Sequence, residues 1–276
     1  DLLHLAESVL PRTMLQVHYR STFRELIAFS NAAFYRNELS VPVLHPDAQI
    51  IAAKPIEYLN VKGIYHEQTN DAEAKRVVEY LAELWKSETI RDSVGIVTFN
   101  RKQADLIEEL LEIRAEKDPR FRSIYVKERE RVEGGEDMAI FVKNVENVQG
   151  DERDLIIFST TFGKNRQGAF RRSFGVLGQK GGERRLNVAV TRAKKKIVLI
   201  SSMPIADISD MLNVQRRPES PRDFLQGYLE YARLVSCGFF EEARQLIDRM
   251  VVGARATSTL TAVTSGLQKS VEDFIR

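Results

Sequence analysis

At 276 residues, 43% of them hydrophobic, the chain can bury the core of one large domain, or of one domain with a smaller appendage. Its 41 Lys and Arg against 39 Asp and Glu leave a net charge of +2, so a uniformly basic or acidic surface is excluded and any charged interface must be local. The single Cys237 and four histidines without metal-ligand spacing exclude an internal disulfide and a structural metal, and with no membrane-length apolar run or signal pattern a cytoplasmic protein is expected.

The chain opens without Met on a helical-looking Asp1-Leu2-Leu3-His4-Leu5, and residues 1–12 read as the end of a preceding linker or helix. Over 22–34, Phe23, Leu26, Ile27, Phe29, Ala33 and Phe34 recur at three and four, which predicts an amphipathic helix. Pro42, Pro46 and Pro55 mark a loop. A strand over 58–65 precedes a helix over 71–85, whose Val77, Val78, Leu81 and Leu84 form one stripe; a buried strand over 94–99 and a helix over 102–113 follow. Charged residues dominate 116–137, which reads as an exposed, mobile insertion turning at Gly134-Gly135. Three further strands, 139–145, 155–160 and 196–201, alternate with helix or loop, so a mostly parallel sheet with crossover helices is expected. After Pro204 the pattern turns helical at 221–235 and 239–251, and a Ser/Thr/Ala/Gly-rich stretch over 253–266 reads as a linker.

Charge is uneven along this frame. Eleven basic residues lie between 160 and 200, from Lys164 to Lys196, with one acid, Glu183. Three segments in a fixed order carry chemistry: His18-Tyr19-Arg20-Ser21-Thr22, then Glu146-Asn147-Val148-Gln149-Gly150-Asp151-Glu152-Arg153-Asp154, then Arg184-Arg185-Leu186-Asn187-Val188-Ala189-Val190-Thr191-Arg192-Ala193. Over roughly residues 13–202 the chain resembles superfamily 1 nucleic-acid helicases. The last segment is similar to their motif VI, especially in the branch that moves 5′ to 3′.

That resemblance implies an α/β fold over 13–203: a RecA-like, mostly parallel sheet flanked by helices, acting as a second motor domain, with a helical C-terminal extension over 204–276. It also implies that Arg20 and Arg192 are the arginine fingers that reach ATP across a cleft between two motor domains. A guanidinium suits that task because its charge is permanent and its forked donors match phosphoryl oxygens. Tyr19 offers a flat face for adenine. Gln149-Gly150-Asp151-Glu152 lies between two strands, in a loop at the edge of the sheet where α/β ligand sites occur. By the resemblance Gly150 lines the γ-phosphate, Glu152 accepts from the ribose, and Gln149 couples nucleotide to nucleic acid; an ordinary polar turn is the plain alternative.

The strand over 94–99 with Asn100 resembles motif IV, which makes Thr98 and Asn100 candidate phosphate donors. A buried strand with a polar cap is the competing reading. Lys164, Arg166, Arg171 and Arg172 are candidates for the nucleic-acid surface, and Lys194–Lys196 reads as a solvated run. No phosphate cradle Gly-x-x-x-x-Gly-Lys-Ser/Thr is present, nor a strand ending in Mg²⁺-binding acids. The P-loop contacts and the Mg²⁺ ligands are therefore expected from an upstream motor domain of the same polypeptide. The partner implied is single-stranded nucleic acid, DNA favoured over RNA. Two other readings compete: a degenerate non-catalytic binding module, and a nuclease suggested by Pro46-Asp47 with Glu73-Ala74-Lys75, which the expected helix over 71–85 disfavours.

Overall fold

The computed structural model describes residues 17–86 and 92–251. The expected opening helix and the 253–266 linker lie outside them. In chain order the elements are α1 (Glu25–Tyr35), α2 (Asp47–Ala53), β1 (Ile56–Asn60), α3 (Asp71–Leu84), β2 (Val94–Thr98), α4 (Arg101–Lys117) and α5 (Pro119–Arg129). A hairpin of β3 (Val132–Glu133) and β4 (Glu136–Asp137) follows, then β5 (Phe141–Asn144), β6 (Arg153–Gly163), α6 (Gly182–Val190), β7 (Ala193–Ser202), α7 (Ile205–Ile208), α8 (Pro221–Ser236) and α9 (Phe240–Met250).

Five strands form one sheet in the order β1-β7-β6-β2-β5, with every pairing parallel. The two central strands read as unbroken apolar runs because both of their faces are covered. Successive side chains alternate between those faces. Ile156 and Phe158 of β6 and Ile197 and Leu199 of β7 enter one core with α1, α6, α8 and α9, whereas Leu155, Ile157, Val198 and Ile200 enter the other with α3, α4 and α5. Gly95 in β2 permits the edge strand to close in, since a Cβ there would lie 2.4 Å from the Phe141 ring.

Three expectations need correction. Residues 116–137 are no mobile insertion: α5 buries Phe121, Ile124 and Tyr125, and the Phe121 ring centroid sits 4.9 Å from that of Trp85. The helix starts where Pro119 takes the first position and Asp118 accepts from the amides of Arg120 and Phe121. Charge density concealed one apolar stripe at helical spacing. The hairpin after it does turn at Gly134 and Gly135, both at positive φ. Second, the proline-marked loop contains α2, with Pro46 as its N-cap. Third, β1 lies earlier than the expected 58–65, because Ile56 is the residue that pairs with Ile197 and enters the core.

The C-terminal helices share the core of the sheet. Phe29 of α1 packs edge-on against Tyr228 of α8 at 5.2 Å, and the Tyr231 hydroxyl donates to the Glu25 carbonyl at 2.9 Å. Where the chain turns into α8, the fully buried Asp223 accepts from both terminal nitrogens of Arg216, at 2.8 and 2.9 Å, from the Ser209 hydroxyl, and from the Glu219 and Ser220 amides. Among the described residues no helix is long and apolar enough to cross a membrane.

Candidate functional site

The central strands carry charged clusters at both ends, and the two clusters differ. At the amino ends, Glu152 directly precedes β6 and Arg192 directly precedes β7, and the first residues of the two strands, Arg153 and Ala193, are register partners. The loop bearing Gln149 to Glu152 therefore meets the amino end of the central strand, not the carboxyl end where the usual α/β ligand crevice lies. Helix α6 explains why one arginine of its segment arrives here. Leu186, Ala189 and Val190 bury one face, and the helix runs about 9 Å from Arg184 to Val190, so Arg184 near its start and Arg192 just past its end serve opposite ends of the sheet. Gly182 lets the helix start against the preceding turn, where a Cβ would lie 2.5 Å from the Leu177 carbonyl oxygen.

The segment from His18 to Thr22 docks on the same end. The Thr22 amide donates to the Lys194 carbonyl at 2.8 Å, and the His18 amide donates to the Ser40 carbonyl at 2.9 Å. Nε2 of His18 accepts from the Ser21 amide, which places the ring proton on Nδ1, and burial together with Arg20 lowers its pKa. The turn delivers Arg20 Nε to Glu152 Oε2 at 2.7 Å, while Lys194 Nζ sits 2.9 Å from Oε1. Burial would raise the Glu152 carboxyl, but Lys194 and Arg20 outweigh it and hold the pKa below the ordinary value. Half-buried Arg192 donates from Nε to the Val188 carbonyl at 2.8 Å, and burial followed by repulsion from Arg20 lowers its pKa. Arg20 and Lys194 thus pair with one carboxylate, and Arg192 lies near enough to feel Arg20, Glu152 and Asp151, which leaves more cations than carboxylates here.

Around this cluster, Tyr19 is 85% exposed, Gln149 is exposed, and Gly150 holds φ +93 with open space where a Cβ would stand. The structure thus gathers Tyr19, Arg20, Glu152 and Arg192 at one place, with Gln149 and Gly150 on the adjoining loop. It adds Lys194, which the solvated-run reading missed; Lys195 and Lys196 also have acidic partners, Asp92 and Asp154 for the first and Glu57 for the second. The available signal was that Lys194 is the first polar side chain of a strand beginning one residue after Arg192.

At the carboxyl ends the picture is different. Thr98 is fully buried and its hydroxyl donates to the Asn100 carbonyl at 2.6 Å, so it has no donor for a phosphate. Asn100 caps α4, accepting from the Gln103 amide and donating to the Gln68 carbonyl. Thr98 is thereby corrected to the polar-cap reading, and Asn100 has the cap geometry that competed with the phosphate reading. Lys164, Arg166 and Arg171 are exposed on the loop after β6. Arg172, on the same loop, is tied to the Asp207 carbonyl at 2.7 Å and to Asp210 at 3.0 Å. Among the described residues no group of three His, Cys, Asp or Glu could hold a metal ion.

The family described as AAA domain matches residues 2–204. An uncharacterized ATP-dependent helicase of Mycoplasma pneumoniae is 37% identical over 72% of this chain and 17% of its own length, and one of Mycoplasma genitalium is 39% identical over 69% and 16%. A regulator of nonsense transcripts 1 homolog of Drosophila melanogaster is 24% identical over 90% of this chain and 20% of its own. The chain thus spans about a sixth of the Mycoplasma relatives. Among solved structures, the C-terminal domain of a possible DNA helicase of Lactobacillus plantarum covers 67% of this chain and 90% of its own, at 16% identity and TM-score 0.38.

Proposed function

Because the chain belongs to the AAA domain family, within the C-terminal region of superfamily 1 helicases, we propose that it is the second motor domain of an ATP-dependent helicase that steps along single-stranded nucleic acid, DNA in preference to RNA. The observation that carries this reading is the pairing of Arg20 and Lys194 with the carboxylate of Glu152, with Arg192 held close by, at the amino ends of β6 and β7. The cluster suits a nucleoside triphosphate. Its surplus positive charge calls for an anion, Tyr19 leaves an uncovered aromatic face for a base, and Gly150 leaves room for a phosphate against the backbone.

Hydrolysis of the bound nucleotide transfers a phosphoryl group to water and spreads negative charge over the γ-phosphoryl oxygens. Arg20 and Arg192 supply fixed guanidinium donors to that charge, already desolvated in the case of Arg192, so little reorganisation is needed. Glu152 holds Arg20 in place and presents an acceptor to the ribose. Since Arg20 and Lys194 already engage both of its oxygens, the ribose hydroxyl shares an oxygen with one of them. The phosphate cradle and the Mg²⁺ ligands belong to a P-loop domain of the same polypeptide. Steady-state ATPase assays of the polypeptide carrying both domains test the reading: loss of turnover in Arg192→Ala with unchanged folding supports it, and wild-type turnover removes it.

A further inference from the structure

Glu73, the acid of the disfavoured nuclease pattern, is completely buried in the first turn of α3 and takes part in none of the chemistry above. Its Oε2 accepts from the Thr161 amide at 2.7 Å and the Ser159 hydroxyl at 2.8 Å. Its Oε1 accepts from the Ser202 amide at 2.7 Å, and from the Thr160 hydroxyl and the Asn70 side-chain amide at 3.3 Å each. Burial pushes the carboxyl up to about 7 against the pull of these hydrogen bonds. One carboxylate therefore joins β6 to β7 at their carboxyl ends, as Glu152 with Lys194 joins them at their amino ends.

The place it fills is irregular. Ser159 pairs with Ile200 and Gly163 with Ser202, so β6 carries two more residues than β7 in this interval. Such bulges redirect a strand and its side chains. Within it Thr161 stands at φ +67, a left-handed conformation that a β-branched residue adopts only when its surroundings impose it. The Thr161 amide is held by Glu73, and three residues later the chain reaches Lys164, whose carbonyl accepts from the Tyr65 amide.

We propose that Glu73 is a positioning residue for nucleic-acid binding: by holding the Thr161 bulge it sets the path of the loop that presents Lys164, Arg166 and Arg171 to phosphates. This rests on the reading that the chain tracks single-stranded nucleic acid. Both backbone amides point at the carboxylate, so only a group that accepts at both oxygens fits. In Glu73→Gln an NH₂ must face the Thr161 or the Ser202 N–H, donor against donor.

The test is a salt titration of fluorescein-labelled dT20 binding to this chain, followed by anisotropy. Glu73→Gln should bind roughly tenfold more weakly, and its slope of log K against log salt should fall by about 0.7 for each phosphate no longer neutralised. Adding Thr161→Gly, which tolerates the left-handed conformation without the carboxylate, should restore the slope. A purely structural role lowers the folded fraction and leaves the slope intact. A folded Glu73→Gln with wild-type affinity and slope overturns the proposal, as does a reduced slope that Thr161→Gly fails to recover. If Glu73→Gln does not fold, Glu73→Asp, which keeps the charge but shortens the reach, is measured against the same two criteria. No binding by the wild-type chain overturns this proposal together with the nucleic-acid reading, whereas wild-type binding with an indifferent Glu73 variant overturns this proposal alone.

Discussion

Arg20 Nε lies 2.7 Å from Glu152 Oε2, joining the turn that precedes α1 to the amino end of the central strand. The pair is partly exposed, and exposed ion pairs contribute about 0–1 kcal/mol to stability. An arginine fixed so firmly for so little stability is better explained by what it does to a ligand.

Arg20→Ala and Arg192→Ala, placed in the polypeptide that carries the P-loop domain, should each lower ATPase kcat by about 10³-fold or more. Denaturant midpoints should move little, because Arg20 gives up a partly exposed ion pair and Arg192 its bonds to the Val188 carbonyl and the Thr191 hydroxyl, each on the order of 1 kcal/mol. Lysine should not restore full turnover, since an ammonium lacks the planar fork. Near-normal kcat in both alanine variants would contradict the assignment.

The chain by itself should not hydrolyse ATP above background, because arginines act only on a nucleotide whose phosphates are held elsewhere. Turnover that survives repurification and disappears with Arg192→Ala would show that one domain suffices.

Basic residues on the loop after β6 should divide into two groups. Replacing Lys164, Arg166 and Arg171 with Ala should flatten the salt dependence of single-strand binding by up to about 0.7 for each phosphate left without its cation. Arg172→Ala should leave the slope unchanged, because that guanidinium already serves Asp207 and Asp210. Equal slopes for the triple variant and wild type would place the nucleic-acid surface elsewhere.

Phe121→Ala should destabilise the fold by about 3–5 kcal/mol, the cost of truncating a buried aromatic. The ring is 3% exposed and lies between Trp85 and Tyr125. Urea denaturation gives the value, and a loss below about 1 kcal/mol would restore the view of 116–137 as a peripheral insertion.

Two buried acids should give stability opposite dependences on pH. The native Glu73 carboxyl sits at about 7 against an ordinary 4.5, so the native state binds the proton more tightly. Its contribution is fully present below about 4.5 and is lost as pH rises to about 7. For Asp223, burial is outweighed by Arg216, Ser209 and backbone amides, which hold the carboxyl well below its ordinary 3.8. That contribution is present above 3.8 and is lost as pH falls further. Denaturation midpoints across pH should lose their slope between 4.5 and 7 in Glu73→Gln and keep it in Asp223→Asn.

The parallel α/β class was legible in the sequence, because strands covered on both faces must be apolar without interruption, as at Val198 to Ile200, and crossover helices must show a stripe, as at Val77, Val78 and Leu81. The sequence also singled out Arg20, Glu152 and Arg192, which the fold brings near one another, since short segments kept an ordered, chemically specific pattern. Charge counts obscured α5, whose four apolar positions are interleaved with four Arg or Lys among eleven residues. Which end of the strands each motif serves was decided only by tertiary structure: the two ends of a parallel strand are equivalent in a hydrophobic pattern, and a crossover helix such as α6 sends Arg184 to one end and Arg192 to the other. The partners of Thr98, Lys194 and Glu73 were decided in the same way. Whether a polar side chain is free to meet a ligand depends on partners brought near from distant segments, such as the 88 residues that separate Glu73 from the Thr161 amide, and local sequence carries no record of them.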